Sequence, residues 1–201
     1  MIVPGRNVSS VNGLTNFVDG KFYHFYDRMK TRELPGHYQS LLKGAKQSIV
    51  IWDPHYRQCD CSVFSEIEQD GIYMEILTVC ECSENKDDMD AFASKVLNSI
   101  DKTDVPNCKI RVYSLAPYDI RRKRGVEWHD RFLIIDNKDV YLVGASLDSH
   151  EKSKRSYGIY LLTETEDKNL VIDAYKAYRD DITDISGGAR GNGYISYVHR
   201  P

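Results

Sequence analysis

The sequence has no long hydrophobic run, and this absence excludes a membrane-spanning chain. Nowhere do about 18 apolar residues stand together, as a bilayer-crossing helix needs. The first residues, MIVPGRNVSSVNG, carry one basic side chain, Arg6, with no apolar stretch behind it, so no export signal is evident. We therefore expect no transmembrane segment and a cytoplasmic location.

The composition lacks the bias of a disordered or fibrous protein. Charged residues make up 28% and aromatic residues 11% of the 201 positions, which excludes collagen, coiled-coil and low-complexity chains. No repeat or Pro/Gly-rich linker divides the middle of the chain. The length therefore predicts one folded domain with a sizeable core.

Neither sign of charge dominates the sequence. The 27 basic and 30 acidic side chains give a net charge of −3, which argues against coating of nucleic acid by bulk charge. A local basic patch on such a chain can still bind phosphate.

The cysteines number five, and an odd count cannot pair completely. Without an export signal we expect reduced thiols. Cys59 with Cys61 and Cys80 with Cys82 form two C-x-C pairs, which raises a tetrathiolate zinc site as an alternative. Their spacing is shorter than the usual C-x2-C, so ordinary thiols are the favoured interpretation and we expect no metal and no cofactor. Cys108 fits neither pair.

Apolar patterning predicts strands and helices in alternation, then a strand meander and a closing helix. The predicted strands span 48–52, 73–79, 109–114, 131–136, 140–144 and 157–163. The predicted helices lie at 37–45, 63–69, 89–100 and 167–181. This order predicts an α/β fold, a mixed β-sheet flanked by helices on both faces. We assign 1–20 to an N-terminal tail, 21–183 to the domain, and 184–201 to a flexible C-terminal tail with a short strand.

The polar run 137–139 between two apolar strands predicts an antiparallel hairpin. His129 and Arg131 then stand at the start of its first strand, and Ser146 and Asp148 follow its second strand, so all four gather at one end. Side chains two residues apart on a strand share a face. A nucleophile and a cation on one face suit a phosphate group.

Asp136 falls at the opposite end of the first hairpin strand. There it could serve packing, a turn or an inward hydrogen bond.

The segment 128–136, WHDRFLIID, resembles the H-x-K-x4-D signature of the phospholipase D superfamily, and 144–148, GASLD, resembles its following G-S-x-N element. The match extends to 157–162, and the preceding α/β pattern is compatible with that fold over most of the chain. The resemblance implies a phospholipase D-like fold and a phosphodiester ligand.

In that superfamily a His attacks phosphorus to form a phosphohistidine, a second His protonates the leaving oxygen, and a Lys binds the non-bridging oxygens. The resemblance implies His129 as nucleophile, Arg131 as phosphate cation and Ser146 as a supporting donor, with Asp136 completing the catalytic set. Arg131 replaces the Lys, and a guanidinium places its charge differently although it binds phosphate well. Asp148 stands where the superfamily has Asn.

One motif supplies only one histidine. His55 and His150 also begin H-x-K/R patterns, but Ser62 and Tyr157 stand where the motif needs Asp, so we interpret both as chance matches. Single-motif members of the superfamily pair two chains. A homodimer with two facing copies of His129 is the implied assembly.

A basic run precedes His129. Such runs are commonly solvated loops, but beside a phosphate site this one could steer an anionic polymer or headgroup. The candidate substrate-binding residues are Arg121, Arg122, Lys123, Arg124, Asp148 and Lys152.

Two functional hypotheses follow. The first is a metal-independent phosphodiesterase, a nuclease rather than a lipase, acting through a phosphohistidine at His129 in a homodimer. The alternative is a non-catalytic module that binds anionic phospholipid headgroups or a protein partner. The segments 129–131 and 53–57 are similar to the C-terminal phospholipase D-like domain of eukaryotic proteins with a microtubule-interacting-and-trafficking domain, which implies the second hypothesis.

Overall fold

One mixed β-sheet organises the described part of the chain. The computed structural model describes residues 14–17, 20–25, 39–56, 64, 67–80, 86–101, 108–115, 129–144, 157–183 and 193–198. The strands within these residues are β1 Leu14–Phe17, β2 Gly20–Phe25, β3 Ser48–Trp52, β4 Tyr73–Val79, β5 Lys109–Leu115, β6 Phe132–Ile135, β7 Asp139–Val143, β8 Tyr157–Leu161 and β9 Gly193–Val198. Their order across the sheet is β1-β2-β8-β7-β6-β3-β4-β5-β9.

Two helices with described bounds accompany the sheet, α1 Lys86–Asp101 and α2 Thr165–Thr183, and residues 39–43 are also helical. None of the helices in the described ranges is both long and apolar enough to cross a bilayer.

The centre of the sheet is parallel and its flanks are antiparallel. β3, β4 and β5 run in one direction, while β6 pairs antiparallel with β3 and β9 pairs antiparallel with β5. β3 and β4 carry mainly apolar side chains on both faces and are buried along almost their whole length. Strands that are covered on both faces have nearly continuous apolar sequences. The sequence pattern therefore predicts these two strands with their observed bounds.

Each face of the sheet carries its own hydrophobic core. On one face Ile49 and Ile51 pack in a cluster with Val96 and Ile100 of α1. On the opposite face Trp52 and Ile134 pack in a cluster with residues of α2 such as Ile172. Helices therefore cover both faces of a mixed sheet, and the predicted fold class is confirmed.

Trp52 anchors the α2 face through three aromatic contacts. Its ring centroid lies 5.3 Å from that of Phe132, 6.4 Å from that of Tyr175 and 5.6 Å from that of Tyr178. Tilted and edge-on pairs at such distances add roughly 0.5–1.5 kcal/mol each beyond the burial of area.

Several predicted boundaries differ from the observed ones. The sequence predicts a helix over 63–69, but residues 67–69 are not helical in the structure. The chain is irregular there and turns at Gly71, whose φ is 77°. The tail boundary placed after residue 20 falls inside the β1–β2 hairpin. The segment 184–201 contains the short strand that the sequence predicts, and this strand, β9, is paired with β5. Short edge strands are held by backbone pairing with a neighbour, which hydrophobic periodicity does not reveal.

Glu75 is the one charged side chain on a buried stretch of β4, and it is surrounded by donors. Tyr113 donates from Oη to Glu75 Oε1 at 2.7 Å, and the Tyr175 hydroxyl donates to Oε2. Arg179 Nη1 lies 3.9 Å from Oε2, and Arg111 Nη1 donates to Tyr113 Oη at 3.1 Å. A buried carboxylate is tolerated when it is paired and hydrogen-bonded in this way.

The environment of Glu75 alters its tyrosine partners. Burial, together with the adjacent Glu75 charge, raises the pKa of Tyr175 far above its usual value. Burial also raises the pKa of Tyr113, and the neighbouring Glu75 raises it further. Both hydroxyls therefore stay protonated, and both remain donors to the carboxylate.

Replacing Tyr175 with Phe should destabilise the fold. The change removes a hydroxyl that donates to a buried carboxylate, so we expect a loss of about 1.5–3 kcal/mol in the free energy of unfolding. Because the folded pKa of Tyr175 is raised, its contribution is complete below the unfolded value of about 10 and declines as the pH rises above it. Urea unfolding at pH 7 and pH 11 measures both effects.

Tyr178→Phe is the matched control, since it removes a hydroxyl from the same helix and keeps the ring that contacts Trp52. Equal urea midpoints for wild type and Tyr175→Phe at pH 7 would contradict the assigned role.

Candidate functional site

The β6–β7 hairpin turns through two residues with left-handed backbone. Asp136 and Asn137 have φ values of 54° and 51°, and the Lys138 amide donates to the Ile135 carbonyl at 3.0 Å. Asp and Asn enter this region more readily than other side-chain-bearing residues. The turn therefore ends β6 at Ile135, one residue earlier than the predicted strand.

This turn brings the Asp136 carboxylate against the backbone that leads into β3. Oδ1 accepts from the amides of Gln47 at 2.7 Å and Ser48 at 3.0 Å, and Oδ2 accepts from the amide of Lys46 at 3.0 Å. The Asp136 amide in turn donates to the Ser48 carbonyl at 2.8 Å. Asp136 thus fastens the start of β3 to the end of β6.

Two opposing effects act on the pKa of Asp136. Partial burial favours the neutral acid, but the backbone donors from Ser48, Gln47 and Lys46 favour the carboxylate and together hold the pKa below its usual value. The ionised form is the one that makes the contacts described above.

The register of β3 against β6 determines what meets at the far end of the strand pair. Trp52 is opposite Phe132. One residue beyond this pair, Asp53 lies beside Arg131, and His55 follows in the turn after β3. The side-chain contacts agree with this alignment.

Asp53 is the buried centre of this end of the sheet. Its Oδ1 accepts from the His55 amide at 3.0 Å and lies 3.3 Å from Arg131 Nε. The Asp53 side chain is 4% exposed and the Arg131 side chain 21%. Arg131 Nη1 also donates to the His129 carbonyl at 3.4 Å. One carboxylate therefore holds both the turn after β3 and the guanidinium before β6.

The turn that carries His55 is fixed against β4. The Asp53 amide donates to the Leu77 carbonyl at 2.9 Å, and the Val79 amide donates to the Pro54 carbonyl at 3.3 Å. Thr78 Oγ1 donates to the Tyr56 carbonyl at 2.9 Å. His55 therefore projects from a well-anchored backbone.

The imidazole rings of His55 and His129 face each other. Their centroids are 6.3 Å apart and their planes are inclined by 28°. His55 is half-buried and His129 is exposed. Two imidazoles with a guanidinium beside them can donate hydrogen bonds to an oxyanion or transfer protons to and from it.

The structure brings together some of the residues that the sequence predicts for the site. His129 and Arg131 lie side by side before β6, whereas Asp136 lies at the opposite end of that strand, roughly 16 Å from Arg131 at 3.3 Å per residue. The remaining candidates lie outside the described residues and stay predictions; they are Ser146, Asp148, Arg121, Arg122, Lys123, Arg124 and Lys152.

Asp53 and His55 are the site residues that sequence reasoning missed. The sequence pattern indicates only a chance motif at His55, because no Asp follows it at the motif's distance. Its partner is found across the sheet instead, through the pairing of β3 with β6. The strand register is the signal that identifies it, and that register is defined only once those two strands are known to be neighbours.

Among the residues that the structure describes, no three or more His, Cys, Asp or Glu side chains are grouped so that they could hold a metal ion. Cys59, Cys61 and Cys82 lie outside the described residues. Burial raises the pKa of the Cys108 thiol to about 11, so it stays protonated at neutral pH.

Comparisons with known proteins gave matches of structure alone. No family model and no curated protein sequence matches the chain. NucT from Helicobacter pylori has a TM-score of 0.48 at 18% identity, with 82% of this chain and 96% of that chain covered. Nuc from Salmonella typhimurium, described as a phospholipase D family member, has a TM-score of 0.48 at 12% identity, with 90% and 98% covered.

Phosphatidylserine synthase from Haemophilus influenzae has a TM-score of 0.45 at 13% identity, with 88% of this chain and 38% of that chain covered. The chain is similar to these proteins in fold.

Asp136→Asn should destabilise the protein in a pH-dependent manner. The amide keeps one acceptor oxygen and loses the charge, so we expect a loss of about 1–2 kcal/mol at pH 7. Because the folded pKa is lowered, the stabilisation is present above the unfolded value of about 3.9 and disappears as the pH falls through the folded value. Urea unfolding of wild type and variant should therefore converge toward pH 3.

Asp139→Asn, three residues further along the same hairpin, controls for a general change of charge. A difference between wild type and Asp136→Asn that is the same at pH 7 and pH 3 would contradict the role of the carboxylate.

Proposed function

We propose that this chain binds phosphodiesters at the His129 end of the sheet and cleaves them without a metal. The observation that carries the proposal is the juxtaposition of His129 with Arg131, whose guanidinium is held by the buried Asp53 carboxylate. This juxtaposition stands beyond the carboxyl ends of β3 and β4. In open α/β sheets, ligands bind outside the carboxyl ends of the strands.

The proposed reaction has two steps. A neutral His129 nitrogen forms a bond to phosphorus while the bond from phosphorus to the leaving oxygen breaks, and a second imidazole gives that oxygen a proton. Water then displaces His129 from phosphorus and returns a proton to the second imidazole. The products are a phosphomonoester and an alcohol. In the homodimer predicted from sequence, the partner copy of His129 is the second imidazole.

Arg131 binds the non-bridging oxygens in this proposal. Its Nε side faces Asp53 and its Nη1 donates to the His129 carbonyl, so we expect a phosphate to bind at Nη2 and at the second N–H of Nη1. A guanidinium donates parallel hydrogen bonds to phosphate oxygens in a fixed geometry. Ser146 supports the same oxygens, and the run Arg121 to Arg124 with Lys152 attracts the anionic substrate.

A second candidate function has an observation of its own. The Asp53 carboxylate lies 3.3 Å from Arg131 Nε, so part of the guanidinium charge is already compensated within the protein. A weakened cation favours binding of an anionic headgroup, or of an acidic partner, over stabilisation of a reacting phosphate. This version keeps the same residues and omits the phosphohistidine.

Cleavage assays separate the two functions. We expect EDTA-resistant cleavage of a single-stranded oligonucleotide by wild type and a loss of at least about 10²-fold in His129→Ala, because the nucleophile is removed. Asp130→Asn alters the exposed neighbour of His129 and should retain activity. Absence of turnover by wild type on oligonucleotides, phospholipids and bis(p-nitrophenyl) phosphate at every pH tested would exclude the enzyme.

Anion binding provides the test of the second function. Charge reversal of the whole run Arg121 to Arg124 should weaken binding of liposomes that contain an anionic phospholipid, and the effect should shrink as salt is added. Unchanged liposome binding by that variant would count against the binding module.

A further inference from the structure

The His55–His129 pair gives one protomer two facing imidazoles. The two rings come from different strand ends of the same sheet. His55 lies in the turn that is hydrogen-bonded to β4, and the carbonyl of His129 accepts from Arg131, which pairs with Asp53. The arrangement therefore belongs to the framework of the sheet and needs no second copy of the chain.

We propose that His55 is the second imidazole of the phosphodiester site and that one protomer contains a complete site. This inference rests on the proposed function above and changes the assembly that it requires. His129 attacks phosphorus, and His55 of the same chain exchanges the proton with the leaving oxygen and then with water.

The separation of the two rings suits a single phosphate. The ring centroids are 6.3 Å apart and the ring planes are inclined by 28°, so the two rings lie roughly face to face. Because an imidazole N–H donates in the plane of its ring, a phosphate would contact both histidines along the ring edges, through two of its oxygens, and not between the ring faces. Arg131 donates to the carbonyl of His129 and so stands next to the pair.

His55 gives one proton to the leaving oxygen and recovers one from water, so no other acid or base is needed in the proposed reaction. As His129 bonds to phosphorus, the leaving oxygen takes the proton of the His55 imidazolium and departs as an alcohol. His55, now neutral, takes a proton from the attacking water. The bond between His129 and phosphorus then breaks, and both imidazoles return to their starting states.

Simple ring stacking and proton donation by a partner chain each predict a different result at position 55. If the rings only stack, a phenyl ring at this position should serve equally well. If the partner copy of His129 is the proton donor, the side chain at position 55 should have no effect on the reaction. His55→Phe addresses both cases, because it keeps an aromatic ring and removes the nitrogens.

The leaving group distinguishes a proton donor from a structural residue. We expect His55→Phe to lower single-turnover cleavage of an oligonucleotide by at least about 10²-fold, because its alkoxide leaving group needs a proton. We expect a much smaller decrease for bis(p-nitrophenyl) phosphate, since nitrophenolate leaves without one. His24→Phe, on β2 and separated from β6 by β7 and β8, is the matched control. Circular dichroism and urea midpoints check that each variant is folded.

Mixing two inactive variants tests whether both histidines act in one chain. Co-expressed His55→Phe and His129→Phe chains should show no more activity than either alone. Recovery of activity in the mixture would place the two histidines on different chains and overturn the proposal.

The remaining outcomes separate this inference from the proposed function. Wild-type rates in His55→Phe together with an inactive His129→Phe would overturn the role of His55 and leave the phosphodiesterase intact. An equal loss on both substrates would make His55 a positioning residue and also overturn its proton transfer. No turnover by the wild type would exclude both.

Discussion

The carboxylate of Asp136 accepts from three successive backbone amides, and the alignment of β3 with β6 depends on that contact. The contact fastens the two strands at one end and thereby selects which residues face each other at the opposite end. Trp52 meets Phe132, then Asp53 meets Arg131, and His55 meets His129. A one-residue slip would send these side chains to opposite faces. The acidic residue of the motif thus acts at a distance, through strand alignment.

The two ends of this strand pair use carboxylates in different ways. Asp136 accepts from backbone amides at the end away from His129, so its charge lies far from the site. Asp53 binds a backbone amide and the Arg131 guanidinium together, so it gives rigidity to the turn and takes some charge from the cation. In the proposed function, a phosphate ligand meets an ordered but partly compensated guanidinium. Asp53 orders the Arg131 guanidinium and also offsets part of its charge, and these two opposing effects decide how strongly this end of the sheet attracts an anion.

The sequence predicts the central fold well because burial on both faces leaves a plain pattern, as in Ser48–Trp52 and Tyr73–Val79. It also places His129 beside Arg131 and Asp136 at the far end of their strand. It does not reveal His55, because that contact comes from strands far apart in sequence. It also misses the order of edge strands such as β1 and β9, whose stability comes from pairing. The periodicity of apolar residues along the sequence indicates which side chains are buried, but it does not indicate which strands lie next to each other.

The left-handed turn at Asp136 has a consequence for how this position tolerates change. Glycine adopts the backbone most easily but has no carboxylate, and glutamate keeps the charge on a longer chain that enters the left-handed region less readily. Asparagine fits the backbone and loses the charge. Aspartate alone meets both demands, so we expect every single substitution at position 136 to weaken the attachment of β3 to β6.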